Sequence, residues 1–360
     1  MKIKKITFEN FRNLQKGELV ADSGINVIYG DNAQGKTNLI EAMWLFSGAK
    51  SFRGAKEASL VRTNAEFARL EMDFFADERE QTASLVIGGG RTATLNGVKL
   101  RSASELAGNF RAVVFSPTHL SLVKDGPSER RRFLDMAIFQ IWPKYASLYH
   151  EYAHCVQQRN TLLKDVRFNS QLLDMLEVYE DEIAKKGAKI IAYRKRYVEL
   201  IKKHAEEIYG GISGGKEALE MRYESVEGGE EASALLNALK ESRATDMQTG
   251  TTSVGPHRDD LDFTVSGLSA RQFASQGQQR STVLAVKLAE AAVLKEVGGE
   301  QPVALLDDVM SELDEFRQDY ILNHIKDWQV FLTCCDRNSV GLMKQGAVFR
   351  MEKGLLVKEG

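Results

Sequence analysis

The fold class is decided by Gly30-Asp31-Asn32-Ala33-Gln34-Gly35-Lys36-Thr37, a stretch of the form G-x-x-x-x-G-K-T. Its glycines let the backbone curl so that N–H groups point at phosphate oxygens. A helix that starts directly after them adds partial positive charge. We expect all eight residues to contact a nucleotide, with Lys36 neutralising the β- and γ-phosphates and the Thr37 hydroxyl binding Mg²⁺.

The residues around this loop have the pattern that the motif requires. The apolar run INVIY (25–29) predicts a buried strand, and KTNLIEAMWLF predicts a helix from Lys36 to about Phe46. A chance glycine turn is the alternative interpretation of so short a motif. The strand–loop–helix context favours a phosphate-binding loop.

A second acidic segment is expected to complete the site. The apolar strand at 302–306 ends in Asp307 and Asp308. In proteins with a phosphate-binding loop, the acid at such a strand end holds Mg²⁺, a role we assign to Asp307. Asp308 would then orient or deprotonate the attacking water. The alternative is a buried strand followed by an acidic helix start. Since the two halves of the site are far apart in the chain, a long insertion must separate them.

A third segment, Ser275-Gln276-Gly277-Gln278-Gln279, precedes a predicted long helix from about Gln278 to Val297. A serine, a glycine and a helix N-terminus can together bind a γ-phosphate. In ABC proteins such a signature element acts across a dimer interface. The alternative is a polar helix cap.

Composition sets wider limits. The chain has 360 residues, of which 43% are hydrophobic and 27% are charged, with a formal net charge of −2. This length allows two domains, and any nucleic-acid binding must come from local basic patches. Three cysteines without a disulfide pattern fit a reducing, cytosolic setting. We expect no secretory signal and no membrane span, since no sustained apolar run occurs.

The remaining pattern divides the chain by secondary structure. Alternating residues over 68–100 predict antiparallel strands and hairpins, followed by a strand at Ala112–Phe115. Heptad spacing from Ser128 to about Tyr209 predicts two long helices in an antiparallel arm. Pro143 should kink the first helix or mark a start. The acidic, glycine-containing segment 214–246 is expected to be a weakly structured return.

With these features in place, the chain resembles the RecF family of SMC-like ABC ATPases along its whole length. The residues that carry the resemblance are ITFENFRNL (6–14), the phosphate loop, PSERRRFLD (127–135), QQRN (157–160), GPHRDDL (255–261), SQGQQR (275–280) and LLDDVMSELD (305–314). The resemblance implies an α/β fold: an ABC/SMC-type P-loop ATPase head with a mixed sheet and an antiparallel meander. The head would comprise residues 1–127 and 247–360, and a helical arm domain, 128–246, would be inserted into it.

The same resemblance implies roles for further residues. Arg12 and Asn13 should lie near the nucleotide. Ser275, Gly277 and Gln278 should form the signature site in trans. The loop with Ser311, Glu312 and Asp314 should cross the dimer interface.

Two departures from the wider ABC pattern stand out. The catalytic glutamate is replaced by the shorter Asp308, which suggests slow hydrolysis. Cys335 stands about where a switch histidine would be, which leaves Thr333 as a possible γ-phosphate sensor.

The function implied by the resemblance is a slow, Mg²⁺-dependent ATPase in the cytoplasm that forms a homodimer on ATP. It would clamp DNA at gaps between single and double strands and assist RecA loading with RecO and RecR. It would thereby support DNA replication, gap repair and SOS induction. An alternative is a transporter-type ABC ATPase subunit that does not act on DNA. A further one is a DNA-binding scaffold with a vestigial nucleotide site.

Four other patterns have competing interpretations. His150-Glu151-Tyr152-Ala153-His154 matches the zinc motif H-E-x-x-H, but a helix-surface pair without a third ligand is favoured. Cys334-Cys335 is interpreted as structural. His257-Arg258-Asp259-Asp260 is either a charged turn or a support for the site or DNA. Two basic clusters occur, Arg130-Arg131-Arg132 and eight residues over 185–203. They form either a solvated helix face or a surface that contacts the phosphate backbone of DNA.

Overall fold

The computed structural model describes residues 1–166, 169–335 and 346–359. The strands in these ranges are β1 Lys2–Phe11, β2 Leu14–Val20, β3 Ile25–Tyr29, β4 Ala68–Ala76, β5 Arg79–Ile87, β6 Arg91–Leu95, β7 Val98–Lys99, β8 Ala112–Phe115, β9 Leu219–Glu224, β10 Asp260–Val265, β11 Leu268–Ser269, β12 Val303–Asp307, β13 Val330–Cys334, β14 Ala347–Glu352 and β15 Leu355–Glu359. The helices are α1 Lys36–Trp44, α2 Ser121–Lys124, α3 Pro127–Ile141, α4 Lys144–Asp165, α5 Leu173–Ser213, α6 Ala232–Thr249, α7 Ala270–Phe273, α8 Gln276–Gly298 and α9 Glu315–Ile325.

The first sheet is an antiparallel meander with the strand order β2-β1-β4-β5-β6-β7. Its residues alternate between the two faces, as in β4, where Leu70, Met72 and Phe74 are buried. This confirms the expected antiparallel meander. Strand β2 was not predicted from the sequence, because its buried residues do not alternate and Gly17 interrupts it.

The second sheet positions the phosphate loop. Its order is β15-β14-β3-β13-β12-β8, and all neighbours are parallel except the β14–β15 hairpin. Strands β3, β12 and β13 are apolar runs with buried interiors, as expected of parallel strands that are covered on both faces. Because parallel strands end at one edge, the loop after β3 and the acids at the end of β12 share that edge. This confirms the mixed sheet that the resemblance implied.

The helical arm consists mainly of α4 and α5. Along α4, Arg159 pairs with Glu180 and Tyr145 bonds to Arg194, so the two helices run antiparallel. Helix α3 ends at Ile141 and α4 begins at Lys144, with Pro143 at its N-cap. Of the two effects expected for Pro143, the structure therefore shows a helix start.

The prediction that residues 214–246 are weakly structured is wrong. Strand β9 pairs with β10, and α6 packs on α5 with Leu235 and Leu239 buried. Asp246, also buried, accepts a hydrogen bond from Arg159. The acidic and glycine-rich composition concealed both elements, since so few apolar residues mark their buried faces.

The core continues across the predicted domain boundary. Strand β9 of the predicted arm shares a sheet with β10 of the predicted head, and α5 packs along α8. Buried residues of both parts form one cluster, which includes Val27, Ile190 and Leu288. The division into residues 1–127 with 247–360 and residues 128–246 stays a prediction. None of the helices in the described ranges is long and apolar enough to cross a membrane.

Candidate nucleotide-binding site

The phosphate loop connects the end of β3 at Tyr29 to the start of α1 at Lys36. Gly30 and Gly35 have φ values of 151° and 118°, which L side chains rarely adopt. A Cβ on Gly30 would lie 2.3 Å from the Met351 carbonyl oxygen, and one on Gly35 would lie 2.7 Å from Asn13 Oδ1. Both glycines are therefore required by their conformation and by close neighbours.

The Lys36 side chain is buried inside the curve of the loop. Its ammonium donates to the carbonyl oxygens of Gly30 and Asp31, the latter at 2.9 Å. Asp31, Asn32 and Ala33 are exposed above it. A buried cation at the N-terminus of a helix, below an open loop, is an arrangement suited to phosphate groups.

Thr37 is joined to the second acidic segment by a short chain of hydrogen bonds. Its hydroxyl donates to Asp307 Oδ1 at 2.8 Å, and the Thr333 hydroxyl donates to the same oxygen at 3.0 Å. Thr333 Oγ1 in turn accepts the backbone N–H of Asp308 at 2.9 Å. The structure thus brings together the two predicted metal ligands, Thr37 and Asp307.

The Asp307 carboxyl is suited to a divalent cation. Burial raises its pKa above the usual range, while the bonds from Thr37 and Thr333 act in the opposite direction. A buried carboxylate beside a hydroxyl offers the hard oxygen ligands that Mg²⁺ prefers. Bound Mg²⁺ would compensate the charge that burial disfavours.

Asp308 lies half-buried at the end of β12, beyond Asp307. Its φ of 52° is unusual for a residue other than glycine. Ser311 Oγ donates to its backbone carbonyl at 2.9 Å, which holds the turn in place. Strained backbone of this kind occurs at functional sites, and a carboxylate here can take a proton from a water.

The two residues implied by the resemblance, Arg12 and Asn13, lie against the phosphate loop region. Asn13 Nδ2 donates to the Ala33 carbonyl at 3.2 Å and Asn13 Oδ1 accepts from Asn38 at 2.7 Å. Arg12 forms a two-pronged ion pair with Glu41, whose side chain is fully buried. Glu41 thereby orients the Arg12 guanidinium.

Several residues of this site were not predicted from the sequence. Arg53 Nη1 donates to Asn38 Oδ1 at 3.1 Å and lies 4.0 Å from Glu41. The turn between β14 and β15 holds the loop from outside, because the Lys353 and Gly354 N–H groups donate to Gln34 at 2.6 and 3.0 Å. Only Glu41 had a signal in the sequence, because it is an acidic residue within the apolar pattern of α1.

An open cavity of about 490 Å³ adjoins this region. It is lined by Arg12, Asn13, Arg62 and Lys353, among others. Three cations and an amide next to the phosphate loop give this cavity a positive potential. It can therefore accept the polar part of a nucleotide that extends beyond the loop.

The predicted signature residues lie apart from the phosphate loop of the same chain. Ser275 caps α8 and forms a reciprocal pair of hydrogen bonds with Gln278. Arg317 links Asp314 to the Gly277 carbonyl, so the loop with Ser311, Glu312 and Asp314 adjoins the start of α8. Within the described ranges, no hydrogen bond joins Ser275, Gly277 or Gln278 to Gly30–Thr37.

The two residues considered as γ-phosphate sensors have different surroundings. The Thr333 hydroxyl proton is already committed to Asp307. Cys335 is an exposed free thiol that donates to Asn32 Oδ1 at 3.0 Å and lies 3.7 Å from Lys36 Nζ. Cys335 is therefore at the mouth of the loop, whereas Cys334 is buried.

For two of the basic residues, the structure excludes both interpretations, a solvated face and a phosphate-backbone contact. Arg194 is fully buried and pairs with Asp135, and Arg130 is buried and pairs with Asp260. These guanidinium groups cannot reach a phosphate backbone. Of the eight basic residues over 185–203, the ones that are exposed are Lys185, Lys189, Arg196 and Lys203.

The other two patterns are also placed by the structure. His257 bonds to Tyr152 and to the Thr252 carbonyl, and burial lowers its pKa to about 4. It therefore supports the junction of α4 with the loop before β10. His150 and His154 are exposed on α4, and the described residues contain no group of three potential metal ligands.

Taken together, the mixed sheet, the phosphate loop after β3 and the acids at the end of β12 define a P-loop ATPase head of the ABC/SMC class. Comparisons with known proteins agree. The family model described as "RecF/RecN/SMC N terminal domain" matches residues 2–356. The chain belongs to the RecF family.

Individual relatives cover nearly the full length. The chain is 37% identical to the DNA replication and repair protein RecF of Clostridium acetobutylicum, over 99% of this chain and 100% of that protein. It is 39% identical to RecF of Agathobacter rectalis, over 93% of this chain and 92% of that protein. A solved structure described as the recombination mediator protein RecF-ATP in the RecFOR pathway has a TM-score of 0.93 at 37% identity, covering 100% of this chain and 98% of that one.

Proposed function

We propose that this protein is a slow ATPase that dimerises on ATP and closes on DNA at gaps between single and double strands. The observation that carries the proposal is the division of the site. One edge of the sheet unites Lys36, Thr37 and Asp307, whereas the cap of α8 at Ser275 lies elsewhere on the chain. We infer that the α8 cap of a second copy supplies the other face of the nucleotide.

The roles of the residues follow from their contacts. The N–H groups of the loop and Lys36 bind the phosphates. Thr37 and Asp307 would hold Mg²⁺, which would neutralise phosphate charge. Asp308 orients the attacking water. Because its side chain is one methylene shorter than glutamate, the carboxylate reaches less far, and hydrolysis is slow. Arg12 and Asn13 position the loop and the adjoining nucleotide.

The signature contribution comes from the partner copy. Ser275, Gly277 and Gln278 at the N-terminus of α8 bind the γ-phosphate in trans. Ser311, Glu312 and Asp314 lie beside them and form part of the same dimer surface. Loss of the γ-phosphate removes what joins the two surfaces, so hydrolysis opens the dimer.

The cellular role is proposed from the relatives. They bear the name DNA replication and repair protein RecF, and the solved neighbour is described as a recombination mediator in the RecFOR pathway. We infer that this protein works in the cytoplasm with RecO and RecR, assists RecA loading on gapped DNA, and supports replication and SOS induction.

The composite site can be tested by mixing two inactive variants. Lys36→Ala removes the phosphate cation, and Ser275→Asp keeps a good helix cap but places a negative charge against the γ-phosphate. Each variant alone should lack ATPase activity. A mixture should regain activity, since a mixed dimer has one site with an intact Lys36 and an intact Ser275.

Ser275→Asn is the matched control, because it caps α8 without the charge and should lose less activity than Ser275→Asp. Light scattering should show dimers of the wild type with ATP and monomers of Ser275→Asp. A mixture that stays inactive, although both variants fold, would refute the shared site.

A further inference from the structure

A second cleft lies away from the phosphate loop, between the antiparallel sheet and the start of the helical arm. Its volume is about 580 Å³, and no residue of Gly30–Thr37 lines it. Clefts of this size hold small ligands or single residues of a polymer. The nucleotide chemistry described above does not use it.

The cleft has an excess of positive charge. It is lined by Lys50 and Arg91 from the head side and by Arg131 and Arg132 from α3, together with Glu57 and Asp135. Each carboxylate has an ion-pair partner, Glu57 Oε1 with Arg91 and Asp135 with Arg194 from behind the wall. Glu57 Oε2 is buried without a hydrogen-bond partner among the described residues. Lys50 and Arg131 form no ion pair among the described residues, although Arg131 donates to the Asp259 carbonyl at 2.8 Å. Arg132 pairs with Glu129, which lies outside the cleft lining, at 3.5 Å.

One of these cations is buried and incompletely bonded. The Arg91 side chain is only 8% exposed. It donates to the Ala49 carbonyl and to Glu57, but its Nε has no hydrogen-bond partner among the described residues. Burial also lowers the pKa of Arg131. Desolvated guanidinium groups favour an anionic ligand.

The cleft also has an aromatic part, formed by Phe139 of α3 and Tyr149 of α4. Phe139 and Tyr149 are half-buried and meet edge to face, with ring centroids 6.1 Å apart. Met136 and Ala146 complete this part. Basic groups combined with partly exposed aromatic rings are typical of sites for unpaired nucleotides, because every base has a flat face that can stack.

We propose that this cleft holds an unpaired nucleotide of single-stranded DNA, with its phosphate against Lys50, Arg131 and Arg132 and its base on Tyr149 and Phe139. The inference rests on the proposed action at gapped DNA and assigns the single-stranded side of the gap to this cleft. A duplex cannot use it in this way, since its bases are stacked and paired.

The cleft can be mapped by photo-cross-linking. An oligothymidylate with 5-iododeoxyuridine is irradiated with the full-length protein and a non-hydrolysable ATP analogue, and the cross-linked peptide is identified by mass spectrometry. We expect the cross-link at Tyr149 or Phe139. Cross-links confined to α5 would overturn the assignment.

Affinity provides the second readout. Tyr149→Leu removes the stacking ring and should weaken oligothymidylate binding by roughly tenfold, whereas Tyr149→Phe keeps the ring and should bind like the wild type. Lys50→Glu should weaken oligothymidylate binding and reduce its salt dependence. Lys99 is exposed on β7 outside the cleft, so Lys99→Glu should change neither quantity. Equal losses for the Lys50 and Lys99 variants would refute the site.

Two more measurements distinguish a single-strand site from a site for duplex DNA or for free nucleotides. Binding of a blunt duplex should be unchanged in Tyr149→Leu, and thymidine monophosphate should compete only weakly. An equal loss on duplex, or strong competition by the mononucleotide, would overturn the single-strand assignment.

A binding titration of labelled gapped DNA, once with ATP and once with ADP, separates this inference from the proposed function. If the wild type binds gapped DNA only with ATP and Tyr149→Leu does the same with full affinity, the single-strand site is refuted while the proposed function stands. Loss of the ATP dependence itself would instead contradict the proposed function.

Discussion

Replacing Arg194 by methionine should strongly destabilise the fold, although the residue lies in a basic stretch of sequence. Its side chain is fully buried. The guanidinium donates to Asp135 Oδ1 at 2.8 and 3.1 Å, to the Tyr145 hydroxyl at 3.1 Å and to the Pro256 carbonyl at 2.5 Å. It therefore joins α3, α4 and the loop before β10.

The magnitude follows from what remains after the change. Arg194→Met fills a similar volume but leaves Asp135 buried without its cation. Removing one partner of a buried ion pair costs about 3–5 kcal/mol. Replacing both partners with apolar residues is often close to neutral, so Arg194→Met combined with Asp135→Leu should recover part of the loss.

The assay is urea unfolding followed by circular dichroism, with the midpoint and slope fitted separately. Arg196→Met is the control, because this neighbour is exposed and lies over the Trp142 ring at 5.0 Å. It should lose less than about 1 kcal/mol. A loss below about 1 kcal/mol for Arg194→Met, or equal losses for both variants, would refute the role of the buried pair.

Three other predictions concern the carboxyl groups of Asp308 and Asp307 and the imidazole of His257. Asp308→Asn should lower the ATPase rate by about 10²- to 10⁴-fold with unchanged ATP affinity, measured by single turnover and equilibrium binding; a normal rate would exclude its role with water. Asp307→Asn should raise the melting temperature of the nucleotide-free protein at neutral pH while abolishing Mg²⁺-dependent hydrolysis. Because the pKa of Asp307 is raised in the folded state, the folded protein binds more protons than the unfolded chain at pH values just above the usual aspartate pKa. The free energy of unfolding therefore falls as pH rises through this range, and Asp307→Asn should lack this pH dependence. Burial lowers the pKa of His257 to about 4, so stability should fall as pH drops from about 6.5 to about 4, by at most about 3.4 kcal/mol. His257→Gln should flatten that part of the pH profile, and an unchanged profile would contradict the assignment.

The arrangement of the phosphate loop and of the acid opposite it could be predicted from the sequence, because both depend on local patterns. Gly30, Gly35 and Lys36 lie between a buried strand and a helix, and Asp307 ends a second apolar strand. Since parallel strands end at one edge of a sheet, it could be predicted that Thr37 and Asp307 lie together, and they are hydrogen-bonded in the structure. The alternating residues of β4 likewise predicted the antiparallel meander.

Other features depend on contacts between distant segments. Glu41, Arg53 and Lys353 reach the loop region through pairings that no local pattern encodes. Strand β9 and helix α6 were missed because their polar composition outweighed a few buried residues. Arg194 of α5 could not be recognised as a core residue for the opposite reason, since charge in a sequence does not show which side chains are buried.

An ATP-dependent clamp on DNA is tested most directly by fluorescence anisotropy of a labelled gapped duplex at fixed salt, with ATP or ADP and with Mg²⁺. The same titration with Lys36→Ala provides the control for nucleotide occupancy. We expect tight binding by the wild type with ATP, and weak binding with ADP or by the variant. Equal binding with both nucleotides would contradict an ATP-closed clamp on DNA.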